Sequence, residues 1–352
     1  MHDQRPVPEF HVRAMRLWLI AAAAMIFLTL VIGGATRLTQ SGLSIVEWQP
    51  ISGVLPPMSE NAWQAEFEKY KVIPQYRELN RGMTLSAFKT IYWWEWTHRL
   101  VARSTGAVFL LPLLFFLARG WVPSRLRGRL WTIFGGGALL GLVGWWMVSS
   151  GLSGARVSVS QYRLAFHLTL ACAIYAAIVW TAQQLTPRAR SDAPKRLRVV
   201  AIGIAALLLL QIYLGALVAG THAGLAFNTW PLIDGAFVPE ASRLWVIAPA
   251  WRNLFDNTLT VQFDHRMLAY AIWVLVGLHA IDARQARSGA AGAVVLVVAV
   301  TAQAALGVAT LMYQAPILLS LTHQVMAIVL FTIAIVHAER LSHRGEYRSV
   351  GP

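Results

Sequence analysis

A single cysteine, Cys172, lies in the middle of an apolar stretch. One thiol excludes an intramolecular disulfide, an iron–sulfur cluster and a thiolate zinc site. Charge is also scarce: 13% of the 352 residues are charged, where a soluble domain carries about 25%. Hydrophobic residues make up 57% of the chain and mean hydropathy is +0.53. Leu17–Thr36 and Val199–Val218 contain no charge at all. About 20 apolar residues cross the ~30 Å hydrocarbon core as a helix, so the sequence predicts an all-α polytopic membrane protein embedded in the lipid bilayer. No Ala-x-Ala site follows the first apolar run, which is expected to stay as a helix and not to leave as a signal peptide.

Eight spans are predicted: Leu17–Thr36, His98–Ala118, Leu130–Ser150, Arg163–Thr181, Arg198–Ala219, His265–Ile281, Gly289–Met312 and Ile317–His337. The break between the last two rests on Gln314-Ala315-Pro316. With the N-terminus placed inside, the inner loops and tails carry 17 basic and 6 acidic residues, against 13 and 10 outside. That asymmetry sets both termini in the cytoplasm. It also reads the net charge of +14 as a topology signal, with no nucleic-acid partner. Two long loops, Arg37–Thr97 and Gly220–Asp264, then face outward. Their tryptophans and prolines predict ordered caps with interfacial helices.

The two long loops resemble each other. At one offset of 182, Gly33, Thr39, Gly42, Leu43, Trp48, Ile51, Gly53 and Pro57 match Gly215, Thr221, Gly224, Leu225, Trp230, Ile233, Gly235 and Pro239. Trp96-Thr97-His98-Arg99 parallels Phe263-Asp264-His265-Arg266, and His167 opens span 4 as His323 opens span 8. The chain therefore reads as two tandem four-helix bundles, residues 1–190 and 191–352, related by a pseudo-two-fold axis along the membrane normal.

Ten histidines are present. His2, His11 and His343 fall in polar tails, where solvated side chains are expected. His279 and His337 sit at inner helix ends with an interfacial role, and His222 has Gln40 as its repeat equivalent. The other four, His98, His167, His265 and His323, stand near the outer ends of even-numbered spans. Ionisable groups in a membrane are costly and mark function. With no cysteine partner and no second acidic cluster, zinc and di-iron sites lack their ligands. Imidazoles from facing helices suit haem iron, which gives His98 with His167 and His265 with His323 as two side-by-side sites.

Arg99, Arg103 and Arg266 either snorkel to the interface or pair with haem propionates. Gly137 and Gly141 form a small-xxx-small pair on span 3, suited to helix packing or to making room for a macrocycle. Glu95 precedes His98 by three residues, where the second half has Gln262. A carboxylate beside one site and an amide beside the other places proton chemistry in the first half.

Glu95-Trp96-Thr97-His98-Arg99, His167, Asp264-His265-Arg266 and His323, in that order on eight spans, resemble the haem A synthase family. The resemblance implies an oxidoreductase of the inner membrane that converts the C8 methyl of haem O to a formyl through hydroxylated intermediates, supplying haem A for cytochrome oxidase. It implies Glu95 as the catalytic residue, with the first half holding haem O as substrate and the second a haem b cofactor that passes electrons. Contacts with haem O synthase and oxidase assembly factors follow from the same likeness. Loop 1–2 lacks the cysteine pair of one subgroup, so the chain looks like the cysteine-free class of Gram-negative bacteria and mitochondria. A dihaem b-type electron-transfer protein and a non-haem transporter are the rival readings. The former needs no Glu95 asymmetry, and the latter would place its ionisable residues near mid-membrane.

Overall fold

The structure, a computed structural model, describes residues 8–343 and 345. Among these residues eight helices are long and apolar enough to cross a membrane, and the chain is a multi-pass membrane protein. They are α1 (Glu9–Leu38), α2 (Leu85–Ala118), α3 (Ser124–Ser149), α4 (Gln161–Gln184), α5 (Lys195–Thr221), α6 (Thr258–Gln285), α7 (Ala290–Met312) and α8 (Ile317–Ser342). Four begin directly after a proline: Pro8, Pro123, Pro194 and Pro316. A fixed φ suits the start of a helix, and the missing N–H would have no partner there. Gln314 and Ala315 take positive φ between α7 and α8, at the predicted break.

In the first bundle α1 packs on α2 and α4, and α3 packs on α4 and α2. In the second, α5 packs on α6 and α8, and α7 on α6 and α8. Between them α4 lies against α5 and α8, while α1 lies against α8. Exchanging the halves maps these contacts onto one another, α4–α8 onto itself, a pattern compatible with a two-fold relation. Arg37 even donates to the carbonyl of Ala219, its own counterpart at the offset of 182, at 2.9 Å.

Helix α2 starts at Leu85, well before the expected His98. Thr84 caps it, its Oγ1 accepting from the Ala87 N–H at 3.2 Å, and the added turns have packing of their own. Phe88 and Tyr92 are buried against Trp63, Phe67 and Tyr70 of a loop helix, Glu60–Lys71. Loop 1–2 is thus an ordered cap with its own aromatic core. Loop 5–6 is ordered by short helices, with Asn257 capping α6.

The remaining histidines differ in part from expectation. His343 is buried, and its Nδ1 lies 2.8 Å from Glu339. His11 stacks on Trp121. His279 and His337 are buried, with their Nε2 atoms 2.9 Å apart. These partners lie on other helices or a turn away, so local polarity did not reveal them. His2 lies outside the described residues.

Candidate functional site: four histidines against four glycines

Each of the four singled-out histidines stands against a glycine of the helix before it. A Cβ on Gly33 of α1 would lie 2.9 Å from His98 Nε2, and one on Gly144 of α3 would lie 3.1 Å from His167 Cε1. A Cβ on Gly215 of α5 would lie 3.1 Å from His265 Cε1, and one on Gly307 of α7 would lie 2.9 Å from His323 Cε1. Four odd-numbered helices thus present a bare backbone to four imidazoles on even-numbered helices. Helices α2 and α4, which carry His98 and His167, both pack on α1 and α3, and α6 and α8, which carry His265 and His323, both pack on α5 and α7. Each predicted pair therefore falls within one bundle. Gly137 and Gly141 play no such part, since a Cβ at either would meet nothing within 4 Å. Within the described residues open space lies beside both.

The two halves differ around the imidazoles. In the second, Gln211 stands one turn before Gly215, and its Nε2 donates to the His265 carbonyl at 2.9 Å while lying 3.0 Å from Nδ1. Gln303 stands one turn before Gly307 and donates to the His323 carbonyl at 3.1 Å. The first half has Thr29 and Leu140 at the corresponding places. Sequence reasoning missed these glutamines. The signal was the recurrence of Gln-x-x-x-Gly on spans 5 and 7.

This donor set fits haem. Imidazole is a common axial ligand of haem iron, and the glycines leave room beside each ring that a side chain would fill. Among the described residues Nδ1 of His167 and of His323 is buried without a partner, as is Oε1 of Gln211 and of Gln303. A free Oε1 is the acceptor that an iron-bound imidazole needs for its second N–H.

Glu95 is buried among donors from three directions. Its Oε2 accepts from Ser44 Oγ and from the Ile45 N–H, both at 2.8 Å. Its Oε1 accepts from Arg99 Nη2 at 2.6 Å and Nε at 3.1 Å. Arg99 goes on to the carbonyls of Ile45 and Glu47, and Arg103 to those of Gln49, Pro50 and Gly53. In the second half Arg266 donates to the carbonyls of Phe227 and Leu232, which are the residues at offset 182 from Ile45 and Pro50. Gln262 replaces Glu95 with a single 3.4 Å bond to the Phe227 carbonyl. The arginines therefore hold the outer loops onto the histidine helices. Arg266 Nε stays buried without a partner.

A family profile described as cytochrome oxidase assembly protein, COX15-CtaA, matches residues 16–335. A "Heme A synthase" of Rhodopseudomonas palustris strain BisB18 is 60% identical over 329 residues, covering 94% of this chain and 91% of that protein. Another, from strain BisB5, is 59% identical over 333 residues, covering 94% and 92%. A "Heme A synthase" of Bradyrhizobium diazoefficiens is 57% identical over 339 residues, covering 96% and 94%. With the profile spanning nearly the whole chain and the relatives matched over more than nine-tenths of it, this chain belongs to the COX15-CtaA family of cytochrome oxidase assembly proteins.

Proposed function

We propose that this protein is a haem A synthase, oxidising the C8 methyl of haem O to a formyl group to make haem A for cytochrome oxidase. The observation that carries the reading is the set of four imidazoles, paired within each bundle and each backed by a glycine, in a chain of this family. His98 and His167 would hold haem O as substrate, taken from the membrane. His265 and His323 would hold haem b, with Gln211 and Gln303 fixing their rings. Haem iron, when bound, supplies the redox chemistry.

The protein's own part is positioning and proton handling. Glu95, one turn before His98, takes the acid–base role for the protons released as the methyl is oxidised. Its bonds to Ser44, Ile45 and Arg99 keep the carboxylate aimed and close the outer end of the bundle with loop 1–2. Arg266 has a donor left for a propionate at Nε, whereas Arg99 and Arg103 would have to share theirs with the loop carbonyls. The charge asymmetry favours cytoplasmic termini and histidines near the periplasmic face of an inner membrane. Passing contacts with haem O synthase and oxidase assembly factors suit this place in the membrane.

A dihaem electron-transfer protein would use the same four histidines. The contrast of Glu95 with Gln262 favours the enzyme. In membranes of a host lacking its own haem A synthase, haem chromatography should show haem A forming at the expense of haem O once this chain is supplied. Haem b alone, with haem O unchanged, would favour electron transfer.

A further inference from the structure

At the end of the bundle opposite the four histidines, a cleft of about 650 Å³ opens between the two halves. Arg125 and Arg129 enter it from the first turns of α3, and Lys195 and Arg198 from the first turn of α5. Among the described residues no carboxylate lines it. At this end Arg196 bonds Asp282 at 2.9 Å, and Arg188 lies 3.7 Å from Glu339. Inside the cleft, among the described residues, Arg129 bonds the neutral amide of Gln184, and Arg198 Nε is buried with no partner.

This placement opposes ordinary helix electrostatics. A helix N-terminus is already positive, and cations there are unfavourable while anions are favoured. Neither α3 nor α5 has an acidic residue in its first turn or a side-chain cap. A cytoplasmic excess of basic residues would satisfy the rule for membrane orientation anywhere along the loops. It does not require them to converge on one cleft at two helix starts. An anion placed there reverses the sign of each of these interactions.

The rest of the lining says which anion. Val199 and Ile202, on the Lys195–Arg198 face of α5, border the cleft and are 57% and 47% exposed. The charged mouth therefore runs directly onto an apolar, membrane-facing wall. A free phosphate has no use for that wall, but an acyl chain does. Basic pockets between membrane helices recognise anionic lipid headgroups. We propose that the cleft binds an anionic phospholipid, with its phosphate among Arg129, Lys195 and Arg198 and an acyl chain along Val199 and Ile202. Because α3 and α4 come from one half and α5 from the other, the bound lipid ties the two bundles together.

The test uses the full chain, purified in a mild detergent, delipidated and titrated with phosphatidylglycerol, cardiolipin or phosphatidylcholine of matched acyl chains. Native mass spectrometry reads the lipid bound, and thermal unfolding reads the shift in Tm. The wild type should favour the anionic lipids over phosphatidylcholine by roughly tenfold or more. Arg129→Gln/Lys195→Gln/Arg198→Gln should lose that preference, and Arg129→Lys/Arg198→Lys should keep most of it. Val199→Asn/Ile202→Asn should weaken lipid binding. Equal binding of all three lipids by the wild type overturns the proposal without recourse to any variant. So does a preference that persists in the triple variant. Inorganic phosphate or glycerol 3-phosphate raising Tm as much as the lipid would show a free-anion site and overturn the lipid assignment.

Discussion

Gly33 and His98 belong to different helices, yet a methyl group on Gly33 would stand 2.9 Å from the imidazole Nε2. The bare backbone of α1 is thus what lets His98 lie where it does. Gly33→Val should push the ring aside, at a cost of about 1–3 kcal/mol if the packing cannot yield, and should lower haem O occupancy while sparing haem b. Gly307→Val should do the reverse through His323. Gly137→Ala and Gly141→Ala, with nothing within 4 Å, should leave both haems unchanged. Haem extraction and chromatography of the purified variants provide the comparison.

The proton-handling role proposed for Glu95 and its anchoring of loop 1–2 can be separated by substitution. Glu95→Gln keeps an acceptor for Ser44 and Ile45 and reproduces the amide at Gln262, so protein level and haem b content should stay normal. Haem A formation should fall at least roughly tenfold, since a positioned acid–base group contributes ~10²–10⁴ in rate. Glu95→Ala should in addition leave the Ser44 hydroxyl and the Ile45 N–H without their acceptor and remove one partner of Arg99, at a cost of about 1–3 kcal/mol, and lower the amount of folded protein. Ser44→Ala removes one loop bond and should leave haem A formation within a few-fold of normal. If Ser44→Ala were as inactive as Glu95→Gln, loop anchoring and not proton transfer would be the role of Glu95.

The spans were legible because a bilayer demands long apolar runs, and the four histidines because they recur in an internal repeat. Glu95 stood out through its mismatch with Gln262. The glycines behind the imidazoles were hidden, since each partner lies a helix away and nothing in the chain before His98 marks Gly33 as its neighbour. The true start of α2 was hidden for a different reason. Leu85–Trp96 is amphipathic and pairs with Trp63, Phe67 and Tyr70, so hydropathy alone ended the span at the membrane surface. Buried His279 and His337, facing each other from α6 and α8, depend on a tertiary partner in the same way, whereas His343 meets Glu339 one turn back. The repeat carried more than similarity: Ile45 and Phe227, at one offset, both accept from the arginine that follows a site histidine.

The bonds from Gln211 and Gln303 to the His265 and His323 carbonyls make them positioning residues in the proposed haem b site. Gln211→Leu should leave the chain folded and haem b detectable, but loosen the orientation of His265. Loss of such an outer partner costs 10–100-fold in affinity or activity at metal sites. The expected signs are a changed haem b spectrum and reduction potential, partly restored by Gln211→Asn. An unchanged spectrum and potential would mean that the glutamine only packs.

Topology is checked by labelling. Single cysteines at exposed positions of the 60–71 helix, such as Glu60→Cys, in a Cys172→Ala background should react with an impermeant maleimide in intact spheroplasts. Reaction only after the membrane is opened would reverse the orientation, and with it the periplasmic placement of the histidines.

The assignment of the halves rests on the glutamines and on Glu95, and the histidines test it. If the second bundle holds the resident haem b, His265→Ala and His323→Ala should each strip most of the stable haem b spectrum from purified protein. His98→Ala and His167→Ala should leave that spectrum largely intact while abolishing haem A formation. His265 and His323 are the imidazoles whose main-chain carbonyls are bonded by a glutamine on the facing helix, so their ring positions are set before any ligand arrives. His98 and His167 lack such partners, as a site that must accept and release a substrate would. The double variant His265→Ala/His323→Ala decides the matter. Should it keep a full haem b spectrum, the cofactor belongs to the first bundle, and the glutamines must be explained by helix packing.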